Sequence, residues 1–354
     1  MARLRHRHQD CLARLAPADD LGRRQLDIRL GRLQQRLKSL AVSGISPAVR
    51  DAVLASGEQL LVPVLAAALR AARVPAAVVD SQRLIATDSC FGAAAVNLER
   101  TTSNVRRAMA AWCDEVVPVI PGYSGADPQG RVTTLGRGGS DTTAAVLGMA
   151  LGAAWVEIWT DVDGVLSAPP EAVPEAHVLA HLSYAEAEAI ARYGGKVLHF
   201  NAIAPCAGAG IAIAVRNTFR PEAPGTVVDG TPATGGRVAC VTGCAGDGEE
   251  AGSAAVLAVV GDGVARVPGL AARVYTVLAE RGIAVQQREP CWSPVVWRVL
   301  VDPGRLGDAL RALHPALVTA GARPALPSQG PGADSDRGAR EQIEVRLLGE
   351  VCHG

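Results

Sequence analysis

The sequence predicts an α/β layered domain followed by a small ferredoxin-like α+β unit. Three observations carry this. Short β-rich runs at Val74 to Val79, Glu115 to Ile120, Val156 to Trp159 and Ile211 to Val215 alternate with helical periodicities. A second pattern, βαββα, follows after a Gly/Pro/Thr-rich stretch from Pro221 to Gly252. Finally, 49% hydrophobic residues over 354 positions supply a sizeable core.

Element by element, residues 1–45 read as helix packed on the following domain. Leu26, Leu30, Leu33, Leu37 and Leu40 line one stripe, and arginines at 23, 24, 29, 32 and 36 fill much of the rest. A short coiled coil or nucleic-acid arm is the alternative, although two heptads are few to specify a coiled coil. Ser46-Pro47 signals a helix start. Ser56-Gly-Glu58-Gln59 has a capping-box pattern opening a helix to about Ala72. Leu98 to Ala111 reads as helix, and an apolar helix follows Asp141 to about Leu151. Ser183 caps another, with Glu186 in the capping-box position and Gly194-Gly195 ending it. In the second pattern, Ala254 to Val260, Ile283 to Gln287 and Val295 to Val301 are strands, and Pro268 to Arg281 and Leu306 to Leu313 are helices. The expected division is 1–45 helical segment, 46–229 main domain, 230–253 linker, 254–317 small domain and 318–354 flexible tail.

Charge and composition exclude some classes. With 35 Lys+Arg against 35 Asp+Glu, no global electrostatic footprint for nucleic acid exists, and disorder as a global state is excluded. No uninterrupted apolar run reaches the roughly 18–20 residues of a membrane span, Val62 to Val79 being broken by Arg70 and Arg73. Arg3, Arg5 and Arg7 have no apolar run behind them, so no secretory signal is read there. The eight cysteines lack zinc-site spacing and are expected as reduced thiols of a cytoplasmic protein. Only Lys38 and Lys196 are lysines; every other basic residue is arginine.

The strongest chemical signal is Gly136 to Asp141. Its three glycines admit close approach of a ligand, the helix that follows offers free N–H groups, and Arg137 can grip a carboxylate or phosphate. A purely structural tight turn is the alternative. The segment is neither a Walker loop nor a dinucleotide fingerprint. Thr160-Asp161-Val162-Asp163-Gly164 places two carboxylates beyond an apolar strand, as a ligand contact or an Asx-turn. Lys196 follows a Gly-Gly helix stop and reads as a phosphate contact or a surface lysine; Glu58 reads as a ligand contact or a cap residue. His181 and His199 lack metal-ligand spacing and read as structural.

Five segments together resemble the aspartate kinase branch of the amino acid kinase family. They are Leu54-Ala-Ser-Gly-Glu58, Thr133-Thr-Leu-Gly-Arg-Gly-Gly-Ser-Asp141, Val156-Glu-Ile-Trp-Thr-Asp-Val-Asp-Gly164, Gly194-Gly-Lys-Val-Leu-His199 and Val215-Arg-Asn-Thr-Phe219. Val267-Pro-Gly-Leu-Ala-Ala-Arg-Val-Tyr275 makes the small domain similar to an ACT regulatory domain. The resemblance implies a three-layer αβα sandwich and phosphoryl transfer from Mg-ATP to the side-chain carboxylate of L-aspartate. It assigns the substrate α-carboxylate to Arg137 and the amino group to Glu58, with Gly138, Gly139 and Ser140 also at the substrate. It places Asp141 and Lys196 at the reacting phosphate end, and Thr160, Asp161, Gly164 and Lys196 at the nucleotide. It further implies an amino-acid effector at the ACT unit and a homodimer through that unit; the charge, apolar-run and cysteine readings above add a cytoplasmic location and no nucleic-acid or membrane partner.

The departures are specific. The family's opening strand carries Lys-Phe-Gly-Gly-Thr-Ser, and no Lys-x-Gly-Gly occurs in this sequence, so the main domain is expected to lack that strand. Where the family reads Val-Tyr-Thr-Ala-Asp-Pro-Arg, Leu166 replaces the tyrosine, Pro169 the aspartate and Glu171 the arginine. Phe200-Asn201 replaces Pro-Arg, and one ACT unit stands where two are usual. Two alternatives to a kinase therefore stay open: a catalytically impaired, amino-acid-binding regulatory subunit, and a truncated gene product.

Overall fold

The computed structural model describes residues 1–110, 112, 115–232, 237–245, 254–286, 293–318 and 345–348. The chain forms two compact units, 1–152 and 153–354.

The first unit opens with helices α1 (Ala2–Leu15) and α2 (Asp20–Ser43). Asp19 caps α2, its Oδ1 accepting Gly22 N–H at 3.0 Å while its Oδ2 accepts from Arg70 Nε at 3.0 Å. The leucine stripe is buried: Leu26, Leu30 and Leu33 pack with Leu12 against Leu60, Val64 and Ala67. Each of these leucine and valine side chains contributes about 1.5–3 kcal/mol by leaving water. The packing is thus intramolecular, as the sequence predicts, with a turn at 16–19 splitting the expected single helix into two.

Next come α3 (Pro47–Leu54) and α4 (Ser56–Ala71). Ser46 caps α3 as expected, accepting Val49 N–H at 3.3 Å. The expected capping box at Ser56 does not form. Ala55 is already αR, so α4 continues almost directly from α3, and Ser56 Oγ donates back to Ala52 O at 2.9 Å. Residues 47–71 are the one helical stretch among the described residues long and apolar enough to cross a membrane, and half of it is buried inside the protein. Strand β1 (Ala76–Val78), α5 (Leu98–Ala110) and β2 (Val117–Val119) follow, with β1 and β2 parallel. β3 (Ser124–Ala126) and β4 (Val132–Thr134) form an antiparallel pair that delivers the chain to α6 (Gly139–Leu151).

The second unit is built on β5 (Trp155–Thr160), β6 (His181–Ser183), α7 (Tyr184–Arg192), α8 (Phe200–Ala209), β7 (Ala212–Asn217) and β8 (Thr226–Asp229). Strand β5 pairs parallel with β7, β7 antiparallel with β8, and β8 parallel with β6. The capping box of α7 forms as predicted, Ser183 Oγ accepting Glu186 N–H and Glu186 accepting Ser183 N–H.

The small domain comprises β9 (Cys240–Ala245), β10 (Ala255–Val260), α9 (Leu270–Glu280), β11 (Val285–Gln286), β12 (Val296–Val301) and α10 (Leu306–Leu317). Its sheet runs β11-β12-β10-β9, antiparallel throughout, over a core that includes Leu257, Val274, Leu278, Val301 and Leu313. Two expectations need correcting. The supposed linker 230–253 contains β9, which pairs with the whole length of β10; its Cys, Gly and Ala content hid it, and positions 233–236 and 246–253 lie outside the described residues. The supposed flexible tail 318–354 contains β13 (Val345–Leu348), where β13 follows α10 and pairs parallel with β5; residues 319–344 and 349–354 lie outside the described ones. An open edge on β5 is a strand acceptor, which is the physical reason a short apolar segment orders there.

Candidate functional site

In the first unit the Gly136–Asp141 turn converts a strand end into a helix start. Gly136 and Gly138 hold φ of 75° and 67°, a left-handed backbone that a side chain would strain, and Gly138 serves as the N-cap of α6. The first turn of α6 thereby brings the positive end of the helix dipole to the turn, with Gly139 N–H donating back to Gly136 O at 3.1 Å. Ser140, in that turn, donates its Oγ hydrogen to Glu58 Oε1 at 2.8 Å. Glu58 is therefore a tertiary contact of the turn. Arg137 is exposed at the apex and Asp141 is half-buried beside Ser140.

Tyr123 is a residue that sequence reasoning missed. It holds φ of 67°, its N–H bonds to Thr143 Oγ1 at 3.2 Å, and its carbonyl accepts Leu135 N–H at 2.9 Å. A bulky residue in this conformation costs on the order of 1–3 kcal/mol, and such strain clusters at ligand sites. The Gly122-Tyr123 sequence hints only at a turn. A carboxylate, a hydroxyl and a helix N-terminus thus meet at a turn whose exposed apex carries the Arg137 guanidinium.

In the second unit, β5 ends in the Thr160–Gly164 loop. Thr160 Oγ1 donates to Asp161 Oδ1 at 3.2 Å. Asp163 is occupied structurally, accepting from Asn217 Nδ2 at 2.7 Å and pairing with Arg220. Gly164 has φ of 147°, and a Cβ there would sit 2.5 Å from Thr226 Oγ1, the same hydroxyl that accepts Val165 N–H at 2.8 Å. Beyond it lies a cavity of about 160 Å³ with mainly apolar walls, including Val165, Leu166, Ile190 and Val197. Lys196 and Glu171 also line it, joined by an ion pair of 3.0 Å between largely exposed side chains. The Glu171 carboxyl is held below its usual value, first by its own backbone N–H and then by Lys196.

The sequence-predicted residues thus fall into two groups. Glu58, Arg137, Gly138, Gly139, Ser140 and Asp141 belong to the first unit, and Thr160, Asp161, Gly164 and Lys196 to the second. His181 bonds Asp229 Oδ1 at 2.9 Å and His199 caps α8, so both are structural as expected. Among the described residues no group of three or more His, Cys, Asp or Glu is placed to hold a metal.

Comparison with known proteins fits this geometry. The amino acid kinase family profile matches residues 12–217, more than half of the chain. The chain belongs to the amino acid kinase family. An ACT domain profile matches residues 257–317 of this amino acid kinase. An aspartokinase of Thermus thermophilus is 36% identical over 279 residues, which are 77% of this chain and 65% of that protein. The bifunctional aspartokinase/homoserine dehydrogenase of Haemophilus influenzae is 31% identical over 73% of this chain and 31% of its own length. The chain therefore spans less than two thirds of these curated relatives. Among solved structures, Escherichia coli aspartokinase III with aspartate and ADP superposes with a TM-score of 0.74 over 84% of this chain and 81% of that one, at 22% identity, a likeness of fold. The α/β kinase domain followed by an ACT domain is the fold class that the sequence predicts.

Proposed function

We propose that this amino acid kinase transfers the γ-phosphoryl group of Mg-ATP to the side-chain carboxylate of L-aspartate, giving 4-phospho-L-aspartate and ADP. One observation carries the reading: Ser140 Oγ bonded to Glu58 at the N-terminus of α6, directly after Arg137. Arg137 takes the α-carboxylate bidentately and Glu58 the α-ammonium, leaving the side-chain carboxylate toward Gly138, Gly139, Ser140 and Asp141. A carboxylate oxygen attacks the γ-phosphorus, the bond to the β-bridging oxygen breaks, and ADP leaves with that electron pair. Bound with ATP, Mg2+ would supply neutralisation of the triphosphate charge. Thr160, Asp161 and Gly164 line the nucleotide side and Lys196 reaches its phosphates. The relatives support the chemistry, since curated aspartokinases match across most of this chain.

An ATP-dependent hydroxamate assay across amino acids tests this. Turnover with aspartate that vanishes in Arg137→Ala is the expected result; equal turnover of glutamate contradicts the assignment. A second reading, an amino-acid-binding subunit with weakened catalysis, is favoured by the Lys196–Glu171 pair, since an anion stands beside the cation that this reading assigns to the phosphates. The same proposal sets the protein in the cytoplasm, pairs two copies through residues 254–317, and gives the paired ACT units an amino-acid effector. Light scattering at micromolar concentration reports the pairing, and a monomer contradicts it.

A further inference from the structure

Asp51, in α3, belongs to none of the motifs above, yet its side chain is completely buried. One oxygen, Oδ2, accepts Thr134 N–H at 2.7 Å and Gly92 N–H at 2.8 Å. These donors lie 83 and 41 residues away in sequence. The other oxygen, Oδ1, has no hydrogen-bond partner; the nearby charge is Arg50 Nε at 3.9 Å. A buried carboxylate with so little compensation is costly, and a neutral acceptor would suffice merely to close a loop. What an ionised oxygen adds is the ability to draw two N–H groups onto one point at short range.

Those two N–H groups matter because of where they sit. Thr134 ends β4, and the chain then runs through Leu135 into Gly136 and Arg137. Gly92 lies against that same backbone: a Cβ on Gly136 would be 3.1 Å from Gly92 O, and Ala94 N–H donates to Thr134 O at 2.9 Å. Asp51 therefore ties the Gly92 loop and the base of the Gly136–Asp141 turn to α3. Seven residues on, at the start of α4, Glu58 accepts from Ser140 at the opposite end of the turn. The consecutive helices α3 and α4 hold the turn at both ends.

We propose that Asp51 is a positioning residue for the amino-acid pocket, fixing the height of the turn so that Arg137 and Glu58 stand correctly spaced for an α-carboxylate and an α-ammonium. This rests on the reading of the turn as the aspartate site. Asp51 touches no substrate in this scheme; it acts through the Thr134 and Gly92 backbone.

The test is calorimetry on the full chain, titrating L-aspartate and Mg-ATP separately into wild type, Asp51→Asn and Asp51→Ala, with melting temperatures measured alongside. An asparagine oxygen accepts the same N–H groups more weakly, so aspartate affinity falls roughly 3- to 10-fold, and roughly 30-fold or more in the alanine variant, while ATP affinity stays within about twofold. Should the alanine variant not fold, the asparagine variant decides alone. Unchanged aspartate affinity in Asp51→Asn, or a loss of ATP affinity in step with aspartate, overturns the inference while leaving the substrate reading standing. A wild type that binds ATP but no aspartate overturns the substrate reading and this inference with it.

Discussion

Glu58 and Glu171 show how position decides what a carboxylate does. Glu58 is held by Ser140 at the turn that faces the proposed substrate. Removing its charge in Glu58→Gln should weaken L-aspartate binding by roughly 10- to 100-fold, the loss of one charge-assisted bond, with ATP binding unchanged in the same titration. Glu171 works the other way. It neutralises Lys196 at the rim of the cavity, so Glu171→Gln should tighten Mg-ATP binding several-fold, about the effect of one exposed like-charge contact, and most clearly at low salt. Unchanged ATP affinity at low salt would show that Lys196 does not reach the phosphates. The turn from Gly136 to Asp141 was legible in sequence because three glycines ahead of a helix start form a local pattern. Asp51 was not, because its partners are backbone groups 41 and 83 residues away and nothing local marks it. Tyr123 was equally silent, since positive φ at an aromatic is imposed by tertiary packing.

At the level of helices and strands, local signals succeeded where the chain solves its own hydrogen-bonding problem. Ser183 and Glu186 form the capping box their spacing predicts, and Ser183 Oγ also donates to Asp262 Oδ1 at 3.1 Å. Asp262 N–H in turn donates to Glu186 Oε1 at 2.9 Å, so the loop after β10 is bound to the start of α7. Ser183→Ala should cost about 1–2 kcal/mol in urea denaturation, more than a solvent-exposed cap, because buried Asp262 loses one of its donors as well. The Ser56 pattern failed for the complementary reason: α3 already supplies the carbonyls that an isolated α4 would have lacked, so no cap is needed. Strand β9 escaped because its Cys-Val-Thr-Gly-Cys-Ala sequence carries little β-branched alternation and is specified by pairing with β10. Strand β13 likewise owes its order to the edge of β5, a long-range fact.

Across the chain, the kinase segment and the ACT domain of the second unit share a buried polar contact that responds to pH. Ser167 Oγ lies 2.9 Å from His314 Nε2 and 3.3 Å from His177 Nδ1. Burial first, and His177 second, hold the His314 imidazole below its ordinary 6.5, with Glu175 opposing. Between that lowered value and 6.5 the unfolded chain binds the extra proton, so stability is complete above 6.5 and is lost as pH falls below it. Chemical denaturation from pH 8 to pH 5 should show this decline, and His314→Gln should flatten it; an identical slope in the variant would remove His314 from the cause. Fold class was legible throughout because alternating strands and helices, and a separate βαββα pattern, survive any local misreading.

The claim on which the rest depends is that this chain phosphorylates aspartate. Phosphorus NMR of the full chain with Mg-ATP and L-aspartate observes the product directly. An acyl phosphate resonance growing in step with ADP, and absent with L-glutamate, is the predicted result. ATP hydrolysis indifferent to aspartate, or no ATP consumption with aspartate present, would contradict it.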